Sequence, residues 1–290
     1  MEINEKLICR YKEIENKINP IVSYLEKNKD NQEYKYFYKG IATLLSPLIK
    51  NPEIMFLGIN SGSGAWTEVN QQNNTNNTPL RMLSHDESYI YYQNDWFKPN
   101  TARGSWGKGK ENKAFEWYQR DKPINNQFPV NMINILYEIA KIKYPTIKTN
   151  NFEEPLWTNE IKNNIIYTNL YPIITDDVEK LKRIHKLLSK EELLKEIFKP
   201  GSKSINEWDV RLFFIKNMDM LIELINPKVI VCLGLSAFND YTYSNTKHNN
   251  QIFSTIKNNR PVIGFSRRGN WSHLIPTISE EILKHLKINF

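Results

Sequence analysis

The stretch EIMFLGINSGSGA (residues 53–65) carries a short apolar run straight into glycines, with an asparagine, Asn60, just past its last apolar residue. A run of this length without alternation has the pattern of a strand buried on both faces of a sheet. Three more such runs follow: IIYTNLY (165–171), KVIVCLG (228–234) and PVIGF (261–265). Helical spacing occupies the intervals, in VNMINILYEIAKI (130–142), DDVEKLKRIHKLLSKEELLKEIF (176–198) and INEWDVRLFFIKNMDMLIELI (205–225), and ISEEILKHLKI (278–288) comes after the last run. Strands alternating with helices predict an α/β fold, a three-layer α/β/α arrangement around a central, mostly parallel four-stranded sheet. Ligands of such sheets bind beyond the carboxyl ends of the strands, which is where Asn60 falls.

Working outward, residues 2–28 and 36–50 carry apolar positions at helical spacing, so the chain is expected to open with two helices over 1–50, the first kinked or divided at Pro20. Residues 66–128 break the pattern. They are polar, Asn-rich and loaded with Trp and Tyr, the character of a functional loop or a disordered segment. Within this insert, an aromatic stretch over 89–97 and a basic one with an aromatic over 103–110, including Trp106 and Lys108, together have the mix of a nucleic-acid contact. No repeat or boundary divides the chain, so 1–290 reads as a single domain.

The 290 residues are 40% hydrophobic and 24% charged, the balance of a soluble globular protein. A formal charge of +7 favours a polyanionic partner through counterion release, although Asn, Lys and Ile are abundant throughout, which gives the charge a compositional origin as well. Only two cysteines occur, Cys9 and Cys232, too few for a disulfide framework, a zinc site or an iron–sulfur cluster of cysteines alone. Cys232, inside VIVCLG, is expected to be a small buried hydrophobe. The start MEINEKLICRYKE lacks the apolar core of a secretory signal, and no segment reaches the roughly 18 apolar residues of a membrane span. The expectation is a cytoplasmic, monomeric protein without metal, cofactor or membrane attachment.

The glycines of the opening stretch, Gly58, Gly62 and Gly64, do not fit G-x-G-x-x-G, and no Lys-Ser/Thr pair completes a P-loop. A turn after a buried strand explains them; Asn60 has no such packing reason. One strand later, Asn169 stands in the corresponding place at the end of IIYTN. His185 and His285 lie in amphipathic helices and are expected at the surface or half-buried, and Asp176 and Asp177 open a helix whose positive end accounts for them.

In the order of these motifs the chain resembles the uracil-DNA glycosylase superfamily. That family's first motif is a strand ending in Gly-x-Asn-Pro-Gly or Gly-Gln-Asp-Pro, whose third residue addresses the attacking water; GINSG supplies Gly58, Ile59 and Asn60, with Ser61 in place of proline. NQFPVNMINILYEI is similar to the helix behind the family's base-stacking aromatic, with Phe128 as that aromatic. IIYTNLYPI offers Asn169 as the residue reading the base edge, and KVIVCLGLSAF is similar to the family's apolar-Leu-Gly-x-x-Ala strand and turn. The last motif departs: instead of His-Pro-Ser or Asn-Pro-Ser the sequence reads GFSRRGNWSHLIP, with Ser266, Arg267 and Arg268 at the tripeptide and His273 seven residues beyond Ser266.

The resemblance implies a monofunctional, cofactor-independent DNA glycosylase acting on duplex DNA. It assigns the water to Asn60, stabilisation of the departing base to His273 or to the arginines, substrate contacts to Gly58, Ile59, Ser61, Phe128, Asn169 and Ser266, and a DNA grip to Arg267, Arg268, Asn270, Trp271, Trp106 and Lys108. Trp271 is either a wedge into the duplex or a lid over the sheet edge. The altered last motif and the insert imply a base other than plain uracil, such as the bulky modified pyrimidines of phages, and hence a role in repair or antiviral defence. Two other readings stand beside it: a non-catalytic module of the same fold binding modified or single-stranded nucleic acid, and a hydrolase of nucleotides or sugar phosphates.

Overall fold

The computed structural model describes residues 5–28, 31–35, 48–60, 127–143, 164–175, 177–247, 252–267 and 271–286. Its core is a sheet of five strands: β1 (Ile54–Gly58), β2 (Ile165–Asn169), β3 (Val229–Cys232), β4 (Ile252–Lys257) and β5 (Arg260–Phe265). Their order is β2-β1-β3-β5-β4, with β2, β1, β3 and β5 mutually parallel and β4 antiparallel at one edge. All four apolar runs are therefore strands, and β1 and β3 are buried throughout.

Among the described residues the sheet has five strands rather than the expected four. β4 escapes the apolar-run criterion because it is an edge strand whose middle residues are exposed. It joins β5 through Asn258 and Asn259, both with positive φ (49° and 61°), as a tight two-residue hairpin turn requires.

The helices are α1 (Glu5–Lys27), the single turn α2 (Gln32–Lys35), α3 (Gln127–Lys143), α4 (Val178–Leu188), the short α5 (Lys195–Phe198), α6 (Glu207–Ile225), α7 (Leu235–Thr242) and α8 (Ile275–His285). Pro20 does not divide α1: it is exposed, and the carbonyl four residues back belongs to exposed Asn16, where water can replace the missing bond. Of the second expected helix (36–50), only residues 48–50 are described, and the insert lies outside the described residues except for 127 and 128. The pattern over 176–198 is not one helix, because Ser189 closes α4, its N–H donating to the His185 carbonyl and its hydroxyl to that of Lys186. α6 begins with a reciprocal capping box between Asn206 and Asp209 and ends at Asn226 in the left-handed region. No helix among the described residues is long and apolar enough to cross a membrane.

Helices cover both faces. Gly264 and Phe265, adjacent in β5, point to opposite sides: Gly264 meets Phe238 of α7, and Phe265 packs on Trp271, just ahead of α8. α8 packs on α3, where the Ser279 hydroxyl reaches the Ile135 carbonyl (3.2 Å), while α6 packs against α1 and α4. The chain leaves β1 toward β2 and leaves β3 toward β5, so the strand order reverses between β1 and β3. The crevice at such a switch point is the site of ligand binding in sheets of this type.

A Cβ at residue 264 would stand 2.5 Å from ring carbons of Phe238. Gly264→Ala is therefore expected to destabilise the fold by about 1–3 kcal/mol through overpacking, read as a lower denaturant midpoint at unchanged slope.

Candidate functional site

β1 and β2 run in register, with Gly58 beside Asn169. The pairing continues past the strand ends: the Leu170 N–H donates to the Gly58 carbonyl (2.8 Å) and the Tyr171 N–H to that of Ile59 (3.0 Å). Asn60 and Asn169 therefore emerge from neighbouring strands at the same end of the sheet, beside the switch point.

Asn169 is fully buried. Its carboxamide occupies the place of the side chain Gly58 lacks, since a Cβ there would sit 2.2 Å from Asn169 Oδ1. The first glycine of the opening stretch is thus required by close approach rather than by a turn. Tyr167, two residues earlier and on the same face, hydrogen-bonds the Asn169 side chain. Burial pushes the Tyr167 phenol up and outweighs the opposing effects of Arg267 and Asn169, so the hydroxyl stays neutral.

Asn60 is half-buried, and its Nδ2 donates to Thr175 Oγ1 (2.8 Å). The buried Thr175 hydroxyl donates in turn to the Asp177 carbonyl (2.6 Å). Asp177 caps α4, its Oδ1 accepting from the Lys180 N–H (2.8 Å), so the acid expected at a helix start is there as the cap itself. Asn60 is held through Thr175 on a helix end.

Arg267 comes from the end of β5 to the end of β3. Although the residue as a whole is exposed, its Nη1 donates to the Leu233 carbonyl (3.0 Å), and its stem lies over Gly234, whose Cβ would come within 3.2 Å of it. Desolvation lowers the Arg267 pKa, opposed by Tyr167. The guanidinium, expected to grip DNA, is tied to the rim of the crevice next to the Tyr167–Asn169 pair.

Behind the end of β2 a half-buried polar cluster fixes Tyr171. Its hydroxyl donates to Asp240 Oδ2 of α7 (2.9 Å) and accepts from Arg211 Nε of α6 (3.2 Å), and Arg211 also pairs with Asp240. His185 of α4 lies edge-on to the Tyr171 ring at 4.7 Å and stacks on Phe214, with neither ring nitrogen hydrogen-bonded. Expected at the surface or half-buried, His185 is instead fully buried, because it occupies the core-facing stripe of α4 with Leu181, Ile184 and Leu188. Burial, reinforced by Arg211, lowers its pKa from 6.5 to about 3.

Of the other expected site residues, Ile59 and Ser266 are half-buried at the ends of β1 and β5. Trp271 is buried against Phe265 with ring centroids 4.8 Å apart, the position of a lid over the sheet. His273 is exposed in the helical turn Ser272–Leu274. Phe128 lies in the first turn of α3, its side chain outside the described residues, and Ser61, Arg268, Asn270, Trp106 and Lys108 also lie outside them.

Sequence reasoning missed Tyr167, Thr175 and the Arg211–Asp240 pair. Period two in IIYTNLY places Tyr167 on the face of Asn169 and could have found it; Thr175 carries no local signal. No protein-family model matches the chain, and no curated protein matches it in sequence.

Two outcomes follow from this geometry. Gly58→Ala should force the Asn169 carboxamide out of its place, with a loss of about 1–3 kcal/mol in denaturation and shifted Asn169 side-chain amide resonances. As pH falls below about 6.5 the unfolded chain protonates His185 while the folded one does not until about 3. Folding stability should therefore drop across that window by up to about 1.4 kcal/mol per pH unit from this residue. Denaturation of His185→Phe between pH 7 and 4 should lack that component.

Proposed function

We propose that this chain is a DNA glycosylase with the three-layer fold of the uracil-DNA glycosylase superfamily, hydrolysing the N-glycosidic bond of a pyrimidine flipped out of duplex DNA. The observation that carries this reading is the pairing of two carboxamides: Asn60 on its Thr175 support and Asn169 beside Gly58, at adjacent strand ends next to the switch point.

In the reaction, water oxygen bonds to C1′ as the C1′–N bond breaks, and the water proton ends on the departing base. The transition state has oxocarbenium character, so the demands on the protein are to place the water and to favour negative charge on the base. A carboxamide is no base at neutral pH; Asn60 contributes by holding the water, which makes positioning the main effect. Asn169 supplies donor and acceptor to a pyrimidine edge and penalises a wrong base by leaving buried polar groups unpaired. Arg267, at the rim, stays cationic and favours the anionic base or a flanking phosphate. Phe128 stacks on the base, while Arg268, Asn270 and His273 belong to the loop that faces the DNA. Trp106 and Lys108 of the insert add contacts to the strand, and base extrusion costs a few kcal/mol. The substrate we favour is a bulky modified pyrimidine, as the altered last motif and the insert suggest; excision of such a base from invading DNA is antiviral defence.

The test is incubation of the purified protein with duplexes carrying uracil, thymine mismatches or hypermodified cytosines, followed by alkali. Strand breaks are expected with wild type on at least one substrate, and Asn60→Ala should slow them by roughly a hundredfold with duplex affinity kept. Binding without breaks on every duplex would overturn the enzymatic reading and leave the non-catalytic module; indifference to DNA would overturn both.

A further inference from the structure

A carboxamide has one accepting edge and one donating edge, and its oxygen and nitrogen are nearly indistinguishable by shape. The surroundings of Asn60 decide between them. The Asp177 carbonyl has no proton to give, so in the 2.6 Å contact the Thr175 hydroxyl is the donor. That uses the only proton on Thr175 Oγ1, which can then only accept from the Asn60 group 2.8 Å away. The group facing Thr175 is therefore Nδ2, and Oδ1 is the edge turned away from it.

The far end of this relay is fixed. The Asp177 carbonyl also accepts from the Leu181 N–H (3.2 Å) as α4 begins, and the Asp177 side chain caps the Lys180 N–H. The near end is fixed as well, because the Tyr171 N–H holds the Ile59 carbonyl one residue before Asn60. With both ends tied to regular structure, the carboxamide has one orientation that keeps every bond of the relay. The reverse orientation would set two acceptors, Asn60 Oδ1 and Thr175 Oγ1, against each other unless Thr175 gave up Asp177.

From this we infer that Thr175 is a positioning residue: by spending its proton on the Asp177 carbonyl it commits Asn60 Nδ2 and so fixes Asn60 Oδ1 as the acceptor edge for the attacking water. The catalytic consequence rests on the glycosylase reading above; the orientation itself does not. Removing the hydroxyl releases the carboxamide to rotate, which mis-sets the water without touching the groups that hold DNA.

Thr175→Val and Thr175→Ser separate these effects. On whichever duplex wild type cleaves, Thr175→Val should lower kcat roughly ten- to a hundredfold with KM changed less than about twofold, and Thr175→Ser should recover most of the loss. Independently of activity, the Asn60 side-chain amide protons, assigned by their disappearance in Asn60→Asp, should shift and exchange faster in Thr175→Val but not in Thr175→Ser. In the wild-type protein the Thr175 hydroxyl proton should itself be visible in slow exchange, with a nuclear Overhauser effect to the Asn60 amide; this measurement stands even if Thr175→Val does not fold. Unchanged Asn60 amide signals in a folded Thr175→Val, or no such hydroxyl proton in wild type, would overturn the relay. If wild type cleaves nothing but the amide signals behave as described, the glycosylase reading fails and the orientation of Asn60 survives.

Discussion

Parallel pairing of β1 with β2 carried one step past the strands is the interaction on which the rest of the site depends. Side chains alternate along a strand, so a slip of one residue would turn Asn169 to the opposite face and set Leu57 or Ile59, not Gly58, beside it. Only a residue without a side chain leaves room for the Asn169 carboxamide, and only the observed register sets Gly58 there. The bonds from Leu170 to Gly58 and from Tyr171 to Ile59 extend that register to the residues that leave the sheet. The separation of Asn60 and Asn169 is therefore set by backbone pairing, the least adjustable element of the fold.

The polar groups around this pairing are held by partners both near and distant along the chain. Thr175 and the start of α4 take the Asn60 amide, Tyr167 takes the Asn169 amide, and the Arg211–Asp240 pair takes the Tyr171 hydroxyl. Buried polar atoms cost free energy unless hydrogen-bonded, so each of these contacts removes a penalty, and those of Thr175 and Tyr171 tie the segment after β2 to the helices. Trp271 performs the apolar counterpart, closing the core over Phe265 where the chain turns from β5 toward α8. His185 stands apart as a buried imidazole between aromatic rings, tolerated because it is neutral at ordinary pH. The edge strand β4 is likewise pinned from the helix layer. Lys257 pairs with Asp219 of α6 (3.0 Å) and donates to the Tyr241 carbonyl of α7 (2.7 Å), which blunts an otherwise open sheet edge.

Elements with a strong local signal were legible in the sequence. The four parallel strands announce themselves because burial on both faces demands unbroken apolar runs, and α6 shows itself in the helical spacing of 205–225. β4 was hidden because an edge strand needs no such run, and α7 because its eight residues are too few for a helical period to stand out. Within the site, Asn60 and Asn169 could be singled out as polar residues at the ends of apolar strands, where packing gives no reason for them. The burial of Trp271 was not legible, since it depends on Phe265 across a turn. His185 was misjudged for a related reason: a stripe with two-sided burial on α4 appears only when α6 and the end of β2 pack against it.

By itself the sequence determined the α/β class, the positions of the parallel strands, the burial of Cys232 and the location of two asparagines at strand ends, because each follows from the pattern of neighbours along the chain. Tertiary structure alone decided that β2 lies beside β1, that Asn169 fills the space over Gly58, and that Thr175 dictates which edge of Asn60 can accept a hydrogen bond. Those facts join residues more than a hundred positions apart. Strand order and hydrogen-bond direction come from how segments meet in space, and no local pattern encodes them.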